Sequence, residues 1–180
     1  MHRRTHSLRR GVAAIELAFV TMLFVVPLII GIWEVGRLIQ VQQIVANSAR
    51  EGARLAAQGF TIRPDGTQVQ IQKLTGSPNV KDVVVDYLRA SGLTNLTAAD
   101  VTVTFQFTAP KTTAPGIGTI PPEPYLGEKG QPFTVHVSIP WNKVRWINIG
   151  LLGPSTVQFT VTWNMLRDEA FTVNTTLPSW

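Results

Sequence analysis

The 180-residue chain contains no cysteine, which removes disulfide frameworks, thiolate zinc sites, iron–sulfur clusters and cysteine nucleophiles. Histidine is nearly as scarce: His2 and His6 fall in the first ten residues, and His136 alone stands in the body of the chain. One histidine cannot furnish a multi-histidine metal site. No G-x-x-x-x-G-K-[ST] loop is present to cradle a phosphate, and no G-x-S-x-G elbow supports a serine nucleophile beside His136. Asp168 and Glu169 are sequence neighbours that would diverge on a strand, a poor arrangement for a general acid and base. All these side chains read as ordinary solvated surface, so the expectation is a non-enzyme with no cofactor and no metal.

Broad positive charge is also missing. The formal net charge is +5, but Arg3, Arg4, Arg9 and Arg10 carry four of those charges. The remainder holds 12 basic and 11 acidic side chains, a balance too even to track a nucleic-acid backbone. The basicity is concentrated in a leader.

What the sequence does have is a long apolar run. Leu17 to Trp33 is 17 residues without a charge, and as a helix at about 1.5 Å per residue it reaches about 26 Å, enough to cross a bilayer. Val12 to Ile15 extend it beyond a single carboxylate, Glu16, so the expected transmembrane helix covers 12–33. Arginines before it and none immediately after predict a cytoplasmic amino terminus, with the rest of the chain carried across. A cleavable secretory signal is the rival reading. It is disfavoured because the run exceeds the usual apolar region and G-I-W-E-V-G at 31–36 offers no small-x-small cleavage site.

Glu16 is either an interfacial carboxylate that meets water or Arg10, or a functional group in a poorly solvated setting. The spacing R-R-G-V-A-A-I-E over 9–16 favours function. A glycine directly before the apolar stretch, with glutamate five positions later, resembles the processing site of type IV prepilins and pseudopilins. The resemblance implies cleavage by a prepilin peptidase between Gly11 and Val12, and pairing of the new terminal ammonium with Glu16 of a neighbouring subunit. Opposite charges in a weakly solvated setting gain from each other. Valine at the new terminus departs from main-branch pilins, which more often carry an aromatic residue there.

No proline interrupts 34–57, and apolar or small residues recur at Val35, Leu38, Ile39, Gln42, Val45, Ala49, Gly52 and Ala56. The helix is therefore expected to continue to about Gln58 and to stop at Gly59, a rod of about 46 residues and roughly 70 Å. Pro27 can kink it within the membrane. Ala46, Ala49, Gly52, Ala53 and Ala56 allow close approach either by another helix or by the chain's own domain.

Three blocks together, RRGVAAIELAFV, EVGRLIQVQQIVANSAREGARLAA and the Met165–Glu169 close, resemble the TadE-like pseudopilin family of tight-adherence (Flp-type) pilus systems. The first two cover about 9–57; 60–130 carries no recognisable family signal. The resemblance implies a membrane-anchored, minor pilin-like subunit needed for pilus assembly in adhesion and biofilm formation. Its implied setting is the bacterial inner membrane, crossed once, with the carboxy-terminal domain periplasmic or extracellular. Implied partners are the lipid bilayer, the prepilin peptidase, other pilin or pseudopilin subunits and the pilus assembly platform. Glu34, Arg37, Arg50, Glu51, Gly52 and Arg54 are the candidate helix-interface residues. The alternative is an uncleaved type II membrane-anchored protein that binds envelope material.

Beyond the helix, Pro64-Asp65-Gly66 marks a turn. A second helix is expected with Ser77 as N-cap, Pro78 at its first position and an apolar face of Val80, Val83, Val84, Tyr87 and Leu88, ended by Gly92. Two-residue alternation predicts strands at Val101–Phe107, Phe133–Ile139 and Val157–Met165. Residues 109–130, with five prolines and four glycines, read as an irregular, mobile loop. Trp141, Lys143, Arg145 and Trp146 suit a membrane or partner interface, together with Ile147, Ile149, Leu151 and Leu152; a connection tucked onto the sheet is the other reading. The expected architecture is α+β, pilin-like: leader 1–11, transmembrane helix 12–33, its extramembrane continuation 34–58, and a small soluble domain 59–180 with a second helix and an antiparallel sheet of about three strands.

Overall fold

A computed structural model describes residues 5–146 and 154–166, with side chains from residue 11 onward. Two α-helical segments, α1 (Thr5–Val20) and α2 (Val26–Gln58), are joined by a π-helical turn, Thr21–Val25. Pro27 explains that turn. Its ring supplies no N–H to the carbonyl four residues back, and the helix absorbs the defect by widening: Val26 N–H bonds the Thr21 carbonyl, five residues earlier. The Thr21 hydroxyl adds a bond to the Leu17 carbonyl at 2.8 Å. The expected kink site is thus a π turn within a continuing helix.

Every residue from Gly11 to Ile29 is exposed, including Met22 at 78 % and Ile15 at 72 %. An all-round apolar helix with no protein cover needs an apolar solvent. Further on the same rod turns into a core element. Val41, Val45, Ala49, Ala53, Ala56 and Ala57 are fully buried. Val35 and Ile39 are more than half exposed, and full burial of the helix begins only at Val41. Gly59 ends α2 with φ +68°, where a side chain would be strained.

A short hairpin follows, β1 (Phe60–Ile62) paired antiparallel with β2 (Gln68–Gln70). The Pro64-Asp65-Gly66 turn sits between them, closed by Gly66 N–H on the Arg63 carbonyl at 2.9 Å. Three-residue strands are too short for alternation to announce them.

Helix α3 spans Val80–Ala90, two residues shorter at its start than expected, and Asn79 rather than Ser77 is its N-cap. Asn79 Oδ1 accepts the Asp82 amide at 2.8 Å, and Asn79 Nδ2 donates to Asp82 Oδ2 at 2.7 Å and to the Gly76 carbonyl at 2.8 Å. This reciprocal pairing satisfies a buried amide group completely enough to outcompete an upstream serine. The buried face is Val80, Val84, Val85 and Leu88; Val83 and Tyr87 are half-buried.

The main sheet has the order β3 (Thr102–Phe107), β4 (Pro132–Pro140), β5 (Thr156–Asn164), all antiparallel. Phe105, Phe107 and Phe133 form an aromatic cluster with ring centroids 5.0–6.1 Å apart. The α2 helix lies against β4, β5 and α3, and its small residues let these elements close on it. The chain is then stitched back to the helix end: Leu166 N–H bonds the Ala57 carbonyl at 2.8 Å, one of the acceptors a helix terminus leaves open.

The loop 109–130 is irregular, as expected, but pinned. Glu128 accepts from the amides and hydroxyls of both Thr112 and Thr113 at 2.6–2.9 Å, and Gln131 Nε2 donates to the Ala109 carbonyl. These threonine bonds pull the Glu128 carboxyl down to about 2.

Candidate functional site

The leader-proximal residues sit in open surroundings. Gly11 lies inside α1, and a Cβ built on it would touch nothing within 4 Å. Val12 is 56 % exposed, and Glu16 is exposed. Four residues apart on a helix, Val12 and Glu16 share one face, so the fold leaves both available to a neighbour or to lipid.

A different group of residues gathers where the helix leaves its apolar span. Arg37, half-buried, donates from Nε to the Val144 carbonyl at 3.1 Å and from Nη1 to Gln40 Oε1 at 3.0 Å. Its guanidinium lies 5.0 Å over the Trp146 ring. Trp146 in turn meets Trp33 edge-on, with centroids 5.9 Å apart. Partial burial lowers the Arg37 pKa, and the charge of Glu34 opposes that shift. The segment after β4 is therefore tied to α2 at the end of its apolar run.

Farther along the rod, Arg50 donates to Asn47 Oδ1 at 2.9 Å and stacks 5.5 Å over Phe159. Glu51 and Arg54 pair at 3.9 Å while exposed, a contact that contributes under about 1 kcal/mol. Gly52 faces inward: a Cβ there would lie 2.7 Å from Val84 Cγ2 and 3.3 Å from Val80 Cγ1. The six candidate helix-interface residues thus divide into two levels. Glu34 and Arg37 stand at the exit, and Arg50, Glu51, Gly52 and Arg54 begin about 20 Å farther on. Ala46, Ala49, Gly52, Ala53 and Ala56 are covered by the chain's own domain, the second of the two readings offered for that stripe.

Trp141 follows the second of the two readings offered for its segment, a connection tucked onto the sheet. It is 2 % exposed and belongs to the core, because its backbone N–H is held by the Ser155 carbonyl at 3.0 Å at the end of β4. Trp146 is 61 % exposed, so of the two tryptophans only this one fits an interface. Ile147, Ile149, Leu151, Leu152, Asp168 and Glu169 lie outside the described residues. His136 is on the polar face of β4, as alternation required, 2.9 Å from the Thr160 hydroxyl. Among the described residues no group of three acidic or histidine side chains could hold a metal ion. The Arg37–Trp146–Trp33 contact was not expected from sequence; the only hint was the alternation of tryptophan with basic residues in W-N-K-V-R-W.

Residues 11–54 match the family model described as TadE-like protein, and no curated protein or solved structure matches the chain. The matched segment begins at the glycine of the processing-like site and ends in the core half of α2. It suggests a Tad pilus-associated protein of a structural family. The apolar helix, without protein cover in its hydrophobic window, suggests single-pass membrane anchoring. Because the same helix runs on unbroken into the domain core, removal of the span as a signal would cut through α2.

Proposed function

We propose that this TadE-like chain is a membrane-anchored pseudopilin, a minor pilin-like subunit needed to assemble a tight-adherence pilus for adhesion and biofilm growth. One observation carries the reading: the family match coincides with a helix that is apolar and uncovered in one half and packed into its own domain in the other. The buried half leaves no room for a second helix at Gly52. Side-by-side docking with similar helices therefore falls to the uncovered half, from Val12 to Ile29.

The mechanism is physical rather than chemical. The basic leader stays in the cytoplasm, the span 12–33 lies in the inner membrane, and the domain is presented on the far side. A prepilin peptidase cuts after Gly11, and the Val12 ammonium pairs with Glu16 of an adjacent subunit, which sets the register between helices. The assembly platform and the other pilins are the partners, with Glu34, Arg50, Glu51 and Arg54 offering the charged surface of the stalk, while Arg37 ties the domain to it.

Intact mass tests the processing step. Co-expression with the cognate peptidase should yield a product beginning at Val12, and Gly11→Ala should abolish the cut. An unchanged mass for the wild type beside an active peptidase would overturn the assignment.

A further inference from the structure

The Arg37–Trp146 contact forms one wall of a cavity of about 100 Å³. Its other walls are the turn after α3, including Thr94 and Asn95, and the Lys143–Arg145 segment. Among the described residues, three cations line it and no carboxylate does. Asp100 pairs with Lys143 at 3.5 Å, and Glu34 acts on Arg37 from the helix. The volume is well below the roughly 300 Å³ at which cofactor pockets begin, and suits a compact anion.

Its position along the rod identifies the source of that anion. Arg37 lies one turn, about 6 Å, beyond Trp33, and the headgroup layer on each side of a bilayer is about 5–8 Å deep. With Trp33 at the hydrocarbon boundary, where tryptophan anchors, Arg37 and the cavity mouth fall at headgroup height. Trp146, 61 % exposed and in contact with Trp33, continues the aromatic anchor from the helix onto the domain. We propose that this cavity binds the phosphate of an anionic phosphoglyceride in the leaflet from which the helix emerges, so that lipid fixes the domain's tilt on the membrane. Arg37, Lys143 and Arg145 supply the charge, and Thr94 and Asn95 supply neutral hydrogen-bonding groups. The proposal needs only the membrane anchor, and cut and uncut chains carry the same site.

Native mass spectrometry of the full chain in detergent, with phosphatidylglycerol or phosphatidylcholine of matched acyl chains, tests it. Phosphatidylglycerol should be retained at least about five-fold better, the effect of roughly one cation at a membrane surface. Lys143→Gln and Arg145→Gln should each lower that retention about five-fold. Lys143, with its side chain 49 % exposed, is the variant least dependent on folding. Asp100→Asn, which frees Lys143, should raise retention, and Lys129→Gln on the distant loop should leave it unchanged. Equal retention of the two lipids, or an equal loss in Lys129→Gln, would overturn the site. Displacement of phosphatidylglycerol by 10-fold less inorganic phosphate would overturn the lipid as its source.

Discussion

Replacing Gly52 by alanine sets two effects of opposite sign against each other. In an exposed helix interior the change stabilises by about 1 kcal/mol, since glycine loses more backbone freedom on folding. Here the new methyl would lie 2.7 Å from Val84 Cγ2 and 3.3 Å from Val80 Cγ1, both fully buried. Neither valine can swing aside readily, because a β-branched side chain on a helix has one strongly preferred rotamer. Overpacking of this kind costs about 1–3 kcal/mol. The expected net effect of Gly52→Ala is therefore a loss of up to about 2 kcal/mol, and Tm of the full chain in micelles should fall by about 2–4 °C per kcal/mol. The sign test is a double mutant. In a Val84→Ala background, itself destabilised by the lost methyls, the severe 2.7 Å clash is gone and the 3.3 Å contact with Val80 needs only a small shift, so adding Gly52→Ala should raise Tm. A Tm increase for Gly52→Ala in the wild-type background, or the same sign in both, would refute the close approach of α2 and α3 on which the covered stripe rests.

Two further outcomes follow from the same fold. Asn79→Ala removes the N-cap of α3 and leaves the Asp82 amide and the Gly76 carbonyl without their partner, so stability should fall by about 1–2 kcal/mol in thermal unfolding, with Ser77→Ala nearly neutral. Glu128 has its carboxyl lowered to about 2 in the folded loop, below its unfolded value; its contribution is complete above the unfolded pKa and disappears as pH falls through about 2. Carboxyl ¹³C titration should show a Glu128 midpoint near 2, and Thr112→Val/Thr113→Val should move it towards the ordinary glutamate range.

Much of the fold and part of the site were legible in local pattern. The apolar span, the helix stop at Gly59, the turn at 64–66 and all three strands of the main sheet follow from period, turn chemistry and glycine. Each depends on residues within a few positions of one another. The spacing at Gly11–Glu16 is a local pattern of the same kind, and the processing it suggests is what the intact-mass experiment tests. The cap of α3 was misplaced by two residues, because the choice between Ser77 and Asn79 is made by Asp82 and the Gly76 carbonyl acting together on one amide group.

Composition and spacing alone marked 17–33 as an uncharged run long enough to cross a bilayer, a property that a buried core helix shares; that this run has no protein cover is decided by the tertiary structure. Only the tertiary structure decided what covers the other half. Small residues permit close approach by any partner equally well, and it took the positions of Val80 and Val84 to show that the chain's own helix fills the space at Gly52. The same holds for the tryptophans: Trp141 and Trp146 have the same side chain five residues apart, yet one is buried and the other meets Trp33 across more than a hundred residues of chain. Contacts of that separation depend on how the sheet is placed against the helix, which no local periodicity encodes.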